Sequence, residues 1–214
     1  MAQTGPDQAE DVVMSEPLSE KRVGMMRLPP EEVVKGIEQH WNNLLLIRSV
    51  SPYLTDSMAG RRDSPTAPYY KSRGYGATVL FEQALTRERI RAINVATHWV
   101  NQGFVVRLYA FLDYCSVFER IYHDIGGHDE VDILRWLRRW FAHTSGYYNP
   151  NDCEQKETYE RIIKHFNLDR RQYPESDCLF PIPIDRVLAP LVEGCKRYVV
   201  ALCSRQTQNG QQVD

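Results

Sequence analysis

Apolar residues recur along most of the chain at steps of three and four, the spacing that gathers side chains on one face of a helix. Val34, Ile37, Trp41 and Leu44/Leu45 form the first such stripe. It follows Pro29-Pro30-Glu31-Glu32, where proline suits a first turn and the carboxylates meet the positive end of the helix dipole. This helix is expected to end near Arg48, ahead of Ser51-Pro52. Ile90, Ile93, Thr97 and Val100 predict a second helix from about Thr86, interrupted or kinked at Gly103. Phe104, Leu108, Phe111, Cys115 and Phe118 then predict a long bundle helix, closed by Gly126-Gly127. Asp129 is the candidate N-cap of the next, with Leu134, Leu137 and Phe141 inward and Gly146 as its stop. Tyr159, Ile162, Ile163 and Phe166 mark another helix. Leu188, Leu191, Cys195, Tyr198 and Leu202 share the face of the last, which Pro190 kinks or delays to near Leu188.

No run of alternating apolar and polar residues bounded by turns argues for a strand, so the expected fold is an all-α bundle. Residues 1–28 are rich in Gln, Ser, Glu, Asp and Gly without apolar periodicity and are expected to be a disordered tail. The window from Ser51 to Gly76 holds three prolines and three glycines and little periodicity. Residues 29–76 are therefore expected to be a helical arm and flexible loop, 77–205 the main helical domain, and 206–214 a disordered tail.

Composition changes this picture little. The 214 residues are 43% hydrophobic and 25% charged, as in an ordinary globular protein. Lys plus Arg (26) against Asp plus Glu (28) gives 26 − 28 = −2, so nucleic-acid contact would need a local basic patch. No apolar run approaches the roughly 20 residues needed to cross a bilayer, and the N-terminus lacks a signal-peptide pattern, so a cytoplasmic location is expected. The five cysteines, widely spaced and without a C-x-x-C pair, are expected to be reduced and mostly buried. No metal or cofactor is implied.

Candidate chemistry concentrates in the run from Leu134 to Tyr148, LRWLRRWFAHTSGYY. Arg135, Arg138 and Arg139 lie at i, i+3 and i+4, which on a helix sets three guanidinium groups along one flank, with His143 about one turn further. Fixed positive charge beside a group that titrates near neutrality suits a phosphodiester and proton transfer at it. The same residues also fit a solvated arginine face closed by a histidine that complements a helix C-terminus.

Arg138-x4-His143 within RRWFAHTSGYY, set among helices of a small bundle, resembles the hallmark of the HEPN superfamily: an arginine, a polar residue, three further residues and a histidine. The Phe118–Tyr122 stretch, read as part of the preceding helix, the ERIIKHF helix and the closing IDRVLAPLVEGCKRYV helix agree with it, over roughly residues 77–205. The resemblance implies an all-α, HEPN-like homodimer with an N-terminal helical arm, acting as a metal-independent endoribonuclease of toxin, defence or RNA-processing type. Arg138 and His143 would be catalytic, facing their counterparts across the dimer cleft. Arg139 stands where that family most often has Asn, Asp or His, which favours the alternative of a catalytically silent dimerisation or nucleotide- or RNA-binding scaffold. Tyr147 completes R-x4-H-x3-Y, the form seen in HEPN toxins paired with nucleotidyltransferase antitoxins, where the tyrosine is modified; Tyr148 competes for the role. RNA and an antitoxin nucleotidyltransferase or another protein are thus the implied partners.

Other residues carry weaker signals. Glu119 and Asp113, expected on the helix before the motif, are candidates to orient Arg138 or His143, or else are solvated carboxylates. Arg61 and Arg62, with Lys71, Arg73, Tyr69, Tyr70 and Tyr75, mix basic and aromatic groups as single-stranded RNA binding requires, as does a solubilising loop. His123-Asp124 near His128 invites a metal reading but lacks a second ligand group, so capping histidines at a helix end fit better.

Overall fold

A computed structural model describes residues 26–51, 53–65, 78–119, 121–143, 146–175 and 179–210. Within these residues the protein is helical, with five α-helices: α1 (Pro30–Val50), α2 (Arg87–Tyr114), α3 (His128–His143), α4 (Cys153–His165) and α5 (Ala189–Gly210). Three helix starts have visible local causes. Pro30 opens α1 with Glu31 and Glu32 in its first turn. The Thr86 hydroxyl accepts a bond from the Arg89 amide at the head of α2, and Asp152 accepts from the Glu154 and Gln155 amides at the head of α4.

Several elements differ from the sequence reading. α2 runs unbroken through Gly103; the glycine costs a long helix only about 1 kcal/mol, and 28 residues of ladder and packing absorb it. The helix stops at Tyr114, well before Gly126, because Ser116 takes a left-handed conformation (φ 62°) while the Val117 amide reaches back to the Leu112 carbonyl. Phe118, Glu119 and Tyr122 therefore lie beyond the helix rather than on it. α3 starts at His128, and Asp129 sits in its first turn instead of capping it. A π-helical turn, Ile184–Leu188, precedes α5, so Pro190 falls in the first turn of α5 and breaks no ladder. α5 itself continues to Gly210, beyond the expected domain end at 205.

The first 76 residues are also not a separate arm where they are described. Val33, Ile37 and Leu44 of α1 are buried in the same core as Leu108 and Leu112 of α2 and Leu191 and Tyr198 of α5. α1 packs on both α2 and α5, and α3 packs on α2, α4 and α5. Between α1 and α2, a short 3₁₀ turn (Asp56–Met58) leads to two three-residue strands, β1 (Asp63–Pro65) and β2 (Thr78–Leu80), paired antiparallel with Ser64 opposite Val79. Leu54, Met58, Leu85 and Ile90 bury a small second core beneath this hairpin. Strands this short carry no readable alternation, which is why the sequence pattern misses them. The expected tail falls on residues 1–25, outside the described residues, apart from Met26, Arg27 and Leu28; Met26 and Leu28 pack against the main core.

α3 and α5 meet at a glycine contact. Gly127, at φ +88°, leaves no room for a side chain: a Cβ there would lie 2.1 Å from the Gly194 carbonyl oxygen. Glu130, buried in the first turn of α3, accepts a bond from Arg197 of α5 (2.7 Å) and faces His165 at the end of α4 (3.5 Å). Among the described residues no helix is long and apolar enough to cross a membrane. The cysteines are mixed in burial: Cys115 and Cys195 are buried, the Cys195 thiol pushed up by burial, whereas Cys153 is exposed.

If α1 belongs to the core, Ile37→Ala lowers the stability of the whole domain. A loss of roughly 2–5 kcal/mol in one cooperative urea transition is the expected scale for a buried aliphatic truncation. A transition unmoved by the substitution would restore the reading of α1 as an independent arm.

Candidate active site

The buried face of α3 decides where its charged residues go. Val131, Ile133, Leu134, Leu137, Trp140 and Phe141 are all inside, and the Trp140 indole donates to the Thr158 hydroxyl of α4 at 3.1 Å, which fixes the rotation of the helix about its axis. A helix turns about 100° per residue, so the five steps from Arg138 to His143 separate them by about 140° around the axis and about 7.5 Å along it.

The three arginines accordingly do not form a single flank. Arg138 is half-buried on the α2 side, its guanidinium 5.1 Å from the centre of the Tyr109 ring, which in turn stacks on Phe118 at 4.7 Å. Arg139 faces α4, paired with Glu154 at 3.1 Å and lying over the rings of Trp136 (5.4 Å) and Trp140 (4.9 Å). Arg135 is exposed and pairs with Asp132 at 3.5 Å. His143 is the exposed last residue of α3, one turn beyond Arg139, so on a single chain it shares a face with Arg139 rather than with Arg138.

Beyond His143 the chain turns at Gly146, whose φ of +81° and contact with Gln102 exclude any side chain; Gln102 also donates to the Gly146 carbonyl at 3.3 Å. This turn sorts the two tyrosines. Tyr147 points outward, 54% exposed, and its backbone bridges Leu179. Tyr148 is 2% exposed, stacked on Tyr159 at 5.0 Å and edge-on to Phe180 at 5.3 Å. Tyr147 is thus accessible at the surface, and Tyr148 belongs to the core.

The remaining candidates are scattered. Glu119 is exposed in the turn after α2 and Asp113 is exposed near the end of that helix. Arg61 pairs with Asp63 at 2.9 Å, and Arg62 donates to the carbonyls of Phe81 and Glu82, so both brace the hairpin. Lys71, Arg73, Tyr69, Tyr70 and Tyr75 lie outside the described residues. His123, in the connection before α3, packs edge-on against His128, the first residue of α3, at 4.5 Å, while Asp124 pairs with Arg205 of α5. Among the described residues no cluster of three His, Cys, Asp or Glu side chains is placed to hold a metal ion.

A second polar region, away from these residues, escaped the sequence reading. Arg48 at the end of α1 is 2% exposed, its Nη1 donating to the Ser51 carbonyl at 2.7 Å. Close by on α2, burial first and the positive charge of Arg48 second push the His98 imidazole down to about 4, so it is neutral at pH 7. Arg48 reads in sequence as a helix end, and a lone histidine on a helix carries no signal of burial.

The burial of His98 makes stability depend on pH. Unfolding returns the imidazole to its usual range near 6.5, so between about pH 6.5 and 4 the unfolded chain takes up a proton that the folded chain refuses. Stability is complete above this window and falls by roughly 2–4 kcal/mol as the pH drops through it. Urea titrations at pH 7 and pH 4.5 should show a smaller loss for His98→Gln than for the wild type; equal losses would contradict the assignment.

No protein-family model, no curated protein and no solved structure matches the chain.

Proposed function

We propose that the protein is a metal-independent endoribonuclease of the HEPN type, acting as a homodimer in a toxin, defence or RNA-processing role. The observation that carries this reading is the make-up of one end of the bundle. Arg138, Arg139, His143 and Tyr147 all come from α3 and the turn that follows, with His143 and Tyr147 exposed and Tyr148 withdrawn into the core. His143 takes the proton of a ribose 2′-hydroxyl, or delivers one to the leaving 5′-oxygen, and Arg138 balances the charge that builds on the phosphorane. Arg139 and Arg135 add positive potential along the strand's path. Tyr147 is the residue that a partner nucleotidyltransferase would modify.

The angle of about 140° between Arg138 and His143 supports the dimer in particular. Two copies related by a two-fold axis present both residue types to one cleft, which a single helix does not. The pairing of Arg139 with Glu154 and the stacking of Arg138 on Tyr109 favour a second reading, a catalytically silent dimerisation or RNA-binding scaffold, because they give both guanidinium groups structural work.

The test is cleavage of single-stranded RNA by the full chain in excess chelator. Under the catalytic reading, cleavage persists, leaves cyclic-phosphate ends and spares DNA of the same sequence. His143→Ala lowers the rate by roughly 10²–10⁴-fold, the scale for loss of general acid–base catalysis, and Arg138→Ala depresses it as well. RNA left intact, or cut equally fast by His143→Ala, would discard catalysis and leave the scaffold.

A further inference from the structure

Within one copy, the arginine nearest in phase to His143 is Arg139. The two are one helical turn apart, about 6 Å along the axis and about 40° around it. Arg138 lies about 140° away from the histidine, with the Tyr109 ring beneath its guanidinium.

An exposed arginine in a lone ion pair is held weakly and samples many rotamers. Arg139 is held from two directions. Glu154 of α4 meets its Nη2 at 3.1 Å, and its guanidinium carbon lies 5.4 Å from the centre of the Trp136 ring and 4.9 Å from that of Trp140. These partners are themselves fixed. Trp140 is 6% exposed and donates to the Thr158 hydroxyl, which in turn donates to the Glu154 carbonyl at 2.9 Å. The Glu154 amide donates to Asp152 at 3.0 Å. The backbone that carries the Glu154 carboxylate is thereby tied to the same indole on which Arg139 lies. The pairing does not saturate the guanidinium: Glu154 meets one nitrogen of a group with five N–H donors, and 49% of the Arg139 side chain remains exposed.

We infer that Arg139, oriented by Glu154, grips the phosphate next to the scissile one on a strand whose 2′-hydroxyl stands at His143. The inference rests on the reading of this end of the bundle as a site that holds RNA. The direction of the side chain selects the phosphate. The Arg139 guanidinium lies back over Trp136, toward the start of α3 and away from His143, so it meets a neighbouring phosphate rather than the reacting one. Arg138 of the other copy is left to balance charge at the reacting phosphate. Glu154 touches neither phosphate; it is a positioning residue that acts through Arg139.

The test uses the full chain and a short 2′-deoxy strand carrying a single ribose, which leaves one scissile phosphate. Arg139→Gln should slow its cleavage roughly tenfold, the scale of one lost charge-assisted contact. Replacing each flanking phosphate in turn by an uncharged methylphosphonate should abolish that sensitivity on one side of the ribose, where the contact is already gone. Glu154→Gln separates orientation from charge: it removes a negative charge beside the strand, which by charge alone tightens binding, yet it should weaken binding several-fold. Binding of the all-deoxy strand reads the contact without chemistry, and the slope of log affinity against log salt should become shallower by about 0.7 in Arg139→Gln. Equal losses on every strand, tighter binding by Glu154→Gln, or an unchanged salt slope would overturn the inference and leave the ribonuclease reading in place. A wild-type chain that binds but does not cut would strike the ribonuclease reading alone, and the salt slope then decides for or against Arg139. A chain that binds no strand overturns both.

Discussion

The rotation of α3 about its own axis constrains the rest of the candidate chemistry. Six apolar residues along one stripe must enter the core, and the indole of Trp140 must find the Thr158 hydroxyl, so the helix has a single acceptable phase. The cost of exposing those side chains, about 25 cal/mol per Å² of apolar surface, far exceeds what any pairing of surface arginines returns. Every charged residue on α3 therefore takes the direction that the stripe leaves to it. Arg138 meets the aromatic pair Tyr109 and Phe118, Arg139 meets Glu154, and His143 stands at the open end.

The same constraint reaches the ends of the helix. At its start, the close passage of Gly127 over the Gly194 carbonyl holds α3 against α5, and Glu130 ties it to Arg197. At its finish, the Gly146 turn against Gln102 places Tyr147 outside and Tyr148 in the core, where Phe180 receives it. Leu179 beside it bridges the backbone of Tyr147, so residues 179 and 180 hold both tyrosines of the turn in place.

Much of the helical architecture was legible because it depends on local spacing. Most of the stripes at steps of three and four lie on helices, Thr86 caps α2, and the chain turns at Gly146 soon after α3. What was not legible depends on distant partners. Nothing in the stripe of α1 tells that Val33 and Ile37 meet α2 and α5 rather than solvent or another chain. The end of α2 at Ser116 lacks the glycine that usually marks a left-handed residue. For the site, sequence spacing grouped Arg135, Arg138 and Arg139 on one flank, but Tyr109 on one side and Glu154 on the other draw Arg138 and Arg139 apart. Tyr147 and Tyr148 are adjacent and chemically alike; only the turn distinguishes them. Arg48 and His98, from two helices far apart in sequence, had no common signal at all.

A composite site requires two copies to bring the exposed ends of α3 together, since one copy holds Arg138 and His143 apart. The most direct measurement is the distance between protomers from spin labels placed in turn at Ala142, beside His143, and at Asp56, in the 3₁₀ turn before the hairpin, in protein whose other accessible cysteines are replaced. A short, narrow distance at Ala142 and a longer one at Asp56 is the expected result. No coupling between copies at any concentration, or a shorter distance at Asp56 than at Ala142, would contradict the composite site.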